Sequence, residues 1–97
     1  LIATPTSASK PVHHTIEISD LEFSPAILDV APGDTITWVN RDFVPHTATA
    51  NDDSWGSATL DSGGAWQILV RAGMAEEYFC AHHPSMVARL RITGPEQ

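Results

Sequence analysis

The apolar runs of this chain are short, and they alternate with polar residues at a period of two. In Val87-Ala88-Arg89-Leu90-Arg91-Ile92-Thr93, the side chains of Ala88, Leu90 and Ile92 face away from Arg89, Arg91 and Thr93. Thr15-Ile16-Glu17-Ile18-Ser19 repeats the pattern, and Asp34 to Asn40 sets Ile36 and Trp38 against Thr35, Thr37 and Val39. Such a segment is a half-buried strand, and one strand cannot bury its apolar face alone. Pro25 to Val30, Thr47 to Ala50, Trp66 to Val70 and Glu77 to Cys80 supply further short runs. About seven or eight strands at roughly ten-residue spacing predict an all-β sandwich or barrel. Turn chemistry falls between the runs. Ala31-Pro32-Gly33-Asp34 has the Pro and Gly placement of a type II turn, and Asp61-Ser62-Gly63-Gly64 is a Gly-rich break. The one helical candidate is a turn or two within Asp53 to Leu60. Because the last strand faces the core, truncation after Leu90 is expected to unfold the domain.

Ninety-seven residues make one domain, which excludes a multi-domain enzyme. Residues 1–13 read as a flexible arm or tether and residues 14–97 as the folded domain, since Leu1 to Val12 mixes Thr, Ser, Ala and Pro with neither period. A cationic start followed by a longer apolar stretch, the mark of a secretory leader, is not read in these residues. The net charge of −7 repels phosphate backbones and anionic lipid, so nucleic acid and membrane surfaces are not expected partners. No apolar run reaches the roughly 18–20 residues of a transmembrane segment. A single cysteine, Cys80, excludes an internal disulfide and a c-type haem attachment.

Cys80 opens the stretch Cys80-Ala81-His82-His83-Pro84-Ser85-Met86, which places a thiolate, imidazoles and a thioether within one connection between strands. Sulfur donors favour copper(I) and imidazole suits both copper states, so the set fits redox copper better than calcium or magnesium. Residues three apart in an extended chain lie roughly 10 Å apart. Two donors must each sit about 2.0–2.3 Å from the ion, so the segment has to curl, and Pro84 suits a bend. A further donor must come from elsewhere, and His46 in Val44-Pro45-His46-Thr47 is the obvious supplier. His46, Cys80 and His83 in a plane, with a longer axial contact from Met86, would make a blue-copper electron-transfer site. Strand alternation favours His82, on the face of Tyr78 and Cys80, whereas the Pro84 turn favours His83. His13 and His14 read as residues of the arm or its edge.

Several stretches together resemble a cupredoxin, most closely the amicyanin group of small blue-copper proteins. They are Pro25 to Val30, Gly33 to Asn40, Pro45-His46, and Tyr78-Phe79-Cys80 through Met86, within residues 14 to 94. The short Cys-x-x-His-x-x-Met loop is the amicyanin form, and its spacing selects His83. The resemblance implies an eight-stranded Greek-key β-sandwich with one type 1 copper (Cu2+/Cu+) at one end. It also implies a soluble one-electron carrier, monomeric and periplasmic or otherwise extracytoplasmic, with the N-terminal arm as a candidate tether. The donor and acceptor would be redox proteins of dehydrogenase, cytochrome c or oxidase type, touching transiently around His83. There an apolar collar of Phe43, Val44, Pro45, Pro84 and Met86 is expected. In several relatives the second His ligand releases reduced copper and takes a proton, which raises the same question for His83. Three departures stand out: Thr47 where relatives often carry Asn, Glu76 where they commonly place Tyr, and one extra residue in Ala72-Gly73-Met74-Ala75. The hydroxyl and N–H of Thr47 are expected to take over part of the bracing that the Asn performs.

Other chemistries account for the residues less well. An activated Cys80–His thiolate leaves Met86 unexplained, and structural zinc prefers four closed Cys or His ligands. A catalytic copper would need a further histidine cluster, so the chain is not an enzyme, even as an electron-entry module detached from a larger oxidase or nitrite reductase. A copper carrier or chaperone that delivers the metal without redox cycling is the alternative reading. Trp38 and Trp66 are expected in the core, with Asp52-Asp53 and Glu76-Glu77 as solvated charges.

Overall fold

Alternating residues bury one face per strand, and the computed structural model describes residues 10–93 in that arrangement. Residues 1–9, which hold most of the expected arm, lie outside the described residues. The strands are β1 (His13–Ser19), β2 (Glu22–Ser24), β3 (Ile27–Val30), β4 (Thr35–Asn40), β5 (Thr49–Ala50), β6 (Ala65–Leu69), β7 (Glu77–Cys80) and β8 (His83–Ile92). They form two four-stranded sheets, β2-β1-β4-β6 and β3-β8-β7-β5, and the chain passes between the sheets from β2 onward. This is the Greek-key β-sandwich that the patterning and the resemblance led to.

Ile16 and Ile18 on β1 lie beside Trp38 and Asn40 on the parallel neighbour β4, all fully buried. Val30, Tyr78, Cys80, Ala88 and Leu90 meet them from the second sheet. Burying a side chain of Leu or Ile size stabilises by about 1.5–3 kcal/mol, so these two inward faces hold the sandwich together. Trp38 packs against Trp66 and Trp55 at centroid distances of 5.5 and 5.7 Å and meets Tyr78 edge-on at 5.5 Å. The type II turn forms as expected: Gly33 takes φ 98° and the Asp34 N–H donates to Ala31 O at 3.0 Å.

Several expectations require correction. β1 takes in His13, which had been assigned to the arm, because the chain is already tied at Val12. The Val12 N–H donates to Asp34 Oδ1 at 2.9 Å, and Val12 O accepts from the Thr35 N–H. His14 likewise sits in β1, with Nε2 2.9 Å from Asp34 Oδ2. β2 was not anticipated: three residues are too few to show a period, and the turn before it places Asp20 and Leu21, not glycine, at φ 55° and 60°. The helical candidate at Asp53 to Leu60 is absent. Asp52 Oδ1 captures the Ser54 N–H and hydroxyl, and bridges from Thr49 to Gly56 and His46 to Leu60 keep the segment extended. No helix among the described residues is long and apolar enough to cross a membrane.

Candidate metal centre

One end of the sandwich gathers donors from three places in the chain. After β4, the segment from Arg41 to His46 leads to a two-way backbone bridge. The His46 N–H donates to Leu60 O at 3.1 Å, and His46 O accepts from the Leu60 N–H at 2.7 Å. Cys80 closes β7 and His83 opens β8, and the two are directly paired across a two-residue turn of Ala81 and His82. That turn breaks the alternation that had favoured His82. The His82 ring is exposed, with Nε2 3.0 Å from Thr59 Oγ1, while His83 returns beside the thiol. The bend therefore belongs to Ala81-His82 and not to Pro84, which sits inside β8. There β8 carries Pro84, Ser85 and Met86 as extra residues between the pairs Cys80↔His83 and Phe79↔Val87, so Pro84 breaks no ladder bond.

Cys80 Sγ lies 3.5 Å from His46 Nδ1 and 3.6 Å from His83 Nδ1, and the three donor atoms are all within 4.8 Å of one another. His46 and Cys80 are fully buried, and His83 is half-buried. Their rings stand 4.9 Å apart. Met86 is buried on β8, three residues beyond His83. His13 and His14 stay on β1, bound to Thr35, Thr37 and Asp34, and do not join this group. The donors present match a soft or borderline ion: one sulfur, two nitrogens and no carboxylate. A closed zinc site would need a fourth Cys or His, and none among the described residues converges here.

The supports of this group are buried polar contacts. The Thr47 N–H donates to Cys80 Sγ at 3.4 Å and so holds the sulfur in place. Thr47 Oγ1 accepts from the Ala81 N–H at 2.8 Å, so the threonine braces both the sulfur and the turn, as expected of it. Asn40, fully buried, donates through Nδ2 to Val44 O at 2.9 Å and Leu60 O at 2.8 Å and accepts the Asp42 N–H at 2.9 Å. Asp42 Oδ2 lies 2.8 Å from His46 Nε2, the nitrogen that faces away from the sulfur. Burial raises the Asp42 carboxyl pKa, but bonds from the Leu21 N–H, His46 and the Asp20 N–H outweigh it and hold it below the ordinary value. Asn40 and Asp42 were missed in the sequence. Asn40 had a legible signal, a polar residue in register with buried Ile36 and Trp38; Asp42 had none.

Apolar residues stand exposed just before His46 and just after His83 in the chain. Phe43 is 97% exposed and Val44 43%, with Pro45 and Pro84 also exposed. Met86 is the exception to the expected collar, since it points into the core. Glu77 is the solvated charge expected of it, whereas Glu76 is half-buried. Glu76 accepts the Ile92 N–H at 2.8 Å, and Glu77 pairs with Arg89 at 3.0 Å. Glu76 thus ties β8 to the turn at Arg71 to Ala75, where Gly73 takes φ 82°.

Comparison with known proteins gives the same direction. Residues 10–93 match the copper binding proteins of the plastocyanin/azurin family. The chain is 34% identical over 94 residues to the methylamine utilization protein MauL of Methylophilus methylotrophus, covering 91% of this chain and 54% of the relative. It is 28% identical over 82 residues to amicyanin of Paracoccus denitrificans, covering 79% of this chain and 63% of the relative. The chain thus spans little more than half the length of these relatives. Among solved structures, a purple cupredoxin from Nitrosopumilus maritimus superposes with a TM-score of 0.75 at 25% identity, over 81% of this chain and 98% of that one.

Proposed function

Because this chain belongs to the plastocyanin/azurin family of copper-binding proteins, we propose that it is a type 1 blue-copper carrier that passes single electrons between redox proteins. The observation that carries this reading is the convergence of His46 Nδ1, Cys80 Sγ and His83 Nδ1 within 4.8 Å at the end of the sandwich. His46, Cys80 and His83, with the buried Met86, would hold the copper. Copper bound there supplies one-electron chemistry between its two oxidation states.

The protein's part is to hold the donors still. His46 is fixed by the Leu60 bridge and by Asp42, and Cys80 by the Thr47 N–H and the end of β7. A donor set that is already assembled has little to rearrange when charge changes. His83 is the half-buried member, and the exposed Phe43, Val44, Pro45 and Pro84 nearby exclude water when a partner docks. Such patches give small, short-lived interfaces. The acidic remainder of the chain, at net −7, steers a basic partner of dehydrogenase, cytochrome c or oxidase type. A periplasmic setting and a monomeric state belong to the same proposal.

Adding copper(II) to the purified protein tests the reading. Intense blue absorption that disappears on reduction and returns on oxidation is expected, and Cys80→Ser should abolish it. Binding of copper(I) without a visible band, with ready transfer to another copper protein, would instead identify a metal-delivery protein. The same colour in the serine variant would refute the assignment outright.

A further inference from the structure

We infer that Asp42 is a positioning residue that sets the proton of His46 on Nε2 and ties this imidazole to the β1–β2 turn. The inference rests on His46 being a copper ligand, as proposed above, but its first test does not require copper. A neutral imidazole carries one N–H, and the group facing each nitrogen decides which one keeps it. Here Asp42 Oδ2 faces Nε2 at 2.8 Å and Cys80 Sγ faces Nδ1 at 3.5 Å. The carboxylate can only accept, so it selects the Nε2–H form and leaves the Nδ1 lone pair directed at the sulfur side.

The carboxylate is itself held. Oδ1 accepts the Asp20 N–H at 2.7 Å and Oδ2 the Leu21 N–H at 2.9 Å, while the Asp42 N–H donates to Asn40 Oδ1. Asp20 and Leu21 are the two left-handed residues of the β1–β2 turn, at φ 55° and 60°. Conformations of this kind in residues other than glycine cost energy and persist when their surroundings hold them. The turn aims two N–H groups at one carboxylate, and that carboxylate aims at the imidazole. An anion on the far side of a ligand raises its basicity and favours the more highly charged state of a bound metal.

Asp42→Asn keeps the shape but removes the charge and turns one acceptor into a donor. In the metal-free protein, at a pH above the imidazole range, nitrogen NMR should show His46 as a single Nε2–H tautomer, and Asp42→Asn should give a mixture. In the copper-loaded protein, Asp42→Asn should weaken copper(II) relative to copper(I) about tenfold, which raises the potential by about 59 mV. Asp42→Glu, which keeps the charge, should hold the potential closer to the parent than Asp42→Asn does. Replacing both Asp20 and Leu21 by glycine relaxes the turn yet preserves its two N–H groups, and should leave tautomer and potential unchanged. The inference is overturned if Asp42→Asn leaves the tautomer single, if Asp42→Glu shifts the potential more than Asp42→Asn, or if the glycine pair shifts both readouts as far as Asp42→Asn. A parent protein that is not blue would refute the proposed function instead, and the NMR comparison would still decide the role of Asp42.

Discussion

Replacing Asn40 by alanine removes a side chain that is entirely buried yet makes three hydrogen bonds. Its amide donates to Val44 O and Leu60 O and accepts the Asp42 N–H, at 2.8–2.9 Å. Each such bond contributes about 0.5–1.5 kcal/mol net, and a buried group left without a partner costs about 1–3 kcal/mol. The Leu60 carbonyl still accepts the His46 N–H when the amide is lost, whereas Val44 O and the Asp42 N–H lose their partner in part-buried positions. The loss is therefore about 3 kcal/mol, a large share of the roughly 5–15 kcal/mol that a domain of this size possesses. At about 4–8 °C per kcal/mol, the melting midpoint should fall by about 12–24 °C. The measurement is thermal unfolding of the metal-free protein, so that metal binding does not mask the change. The same substitution frees the segment from Arg41 to His46, so copper(II) should bind more weakly as well. A midpoint within about 4 °C of the parent would show that water replaces the amide, and Asn40 would then not be the link between β4 and the His46 loop.

Thr47→Val removes the hydroxyl that accepts the part-buried Ala81 N–H and meets Thr49 Oγ1, but keeps the N–H that meets Cys80 Sγ. It should cost about 1 kcal/mol, or about 4–8 °C, with the blue colour intact; a colourless variant would refute this division of labour. Asp34 is nearly buried, which raises its carboxyl pKa, but bonds from His14 and the N–H groups of Val12 and Ala31 outweigh burial and hold the value below ordinary. A depressed carboxylate stabilises the fold above its unfolded pKa and loses that contribution as pH falls through the native value. Acid unfolding should therefore release the Val12 end of β1, and Asp34→Asn should flatten the acid limb of the stability profile; an unchanged limb would count against it. Truncation after Leu90 deletes Ile92, which pairs with Val30 and donates to Glu76, together with the exposed Arg91–Asp29 pair. Cooperative melting should be lost mainly through the ladder and Ile92, because exposed ion pairs contribute little; a two-state transition at the parent midpoint would refute this.

The sandwich was legible because burial is written into the chain at period two. Ile16, Ile18, Ile36, Trp38, Ala88 and Leu90 all face inward where alternation puts them. Alternation fails wherever the chain stops being a strand, and the metal centre lies in such places. His82 and His83 are neighbours in sequence, and only the turn at Ala81-His82 decides which one returns to the sulfur. β2 was invisible because its turn uses Asp20 and Leu21 in conformations that usually advertise themselves through glycine or asparagine. The polar supports were hidden for a related reason. Asp42 looks like one more acid in an acidic chain until the turn from β1 is folded against it.

Those two hidden features are physically connected. A left-handed pair at Asp20-Leu21 needs an acceptor for its exposed N–H groups, and His46 needs an acceptor for Nε2–H. One carboxylate answers both, while Asn40 fixes the backbone that carries it. The first sheet therefore supplies more than a lid for the core. Through β1, β4 and Asp42 it reaches the imidazole, while the second sheet delivers Cys80 and His83 on the paired strands β7 and β8. Donors anchored in opposite sheets can move relative to one another only if the sandwich itself shifts. Its closely packed interior resists such a shift, and that resistance is what holds the three donors at fixed separations.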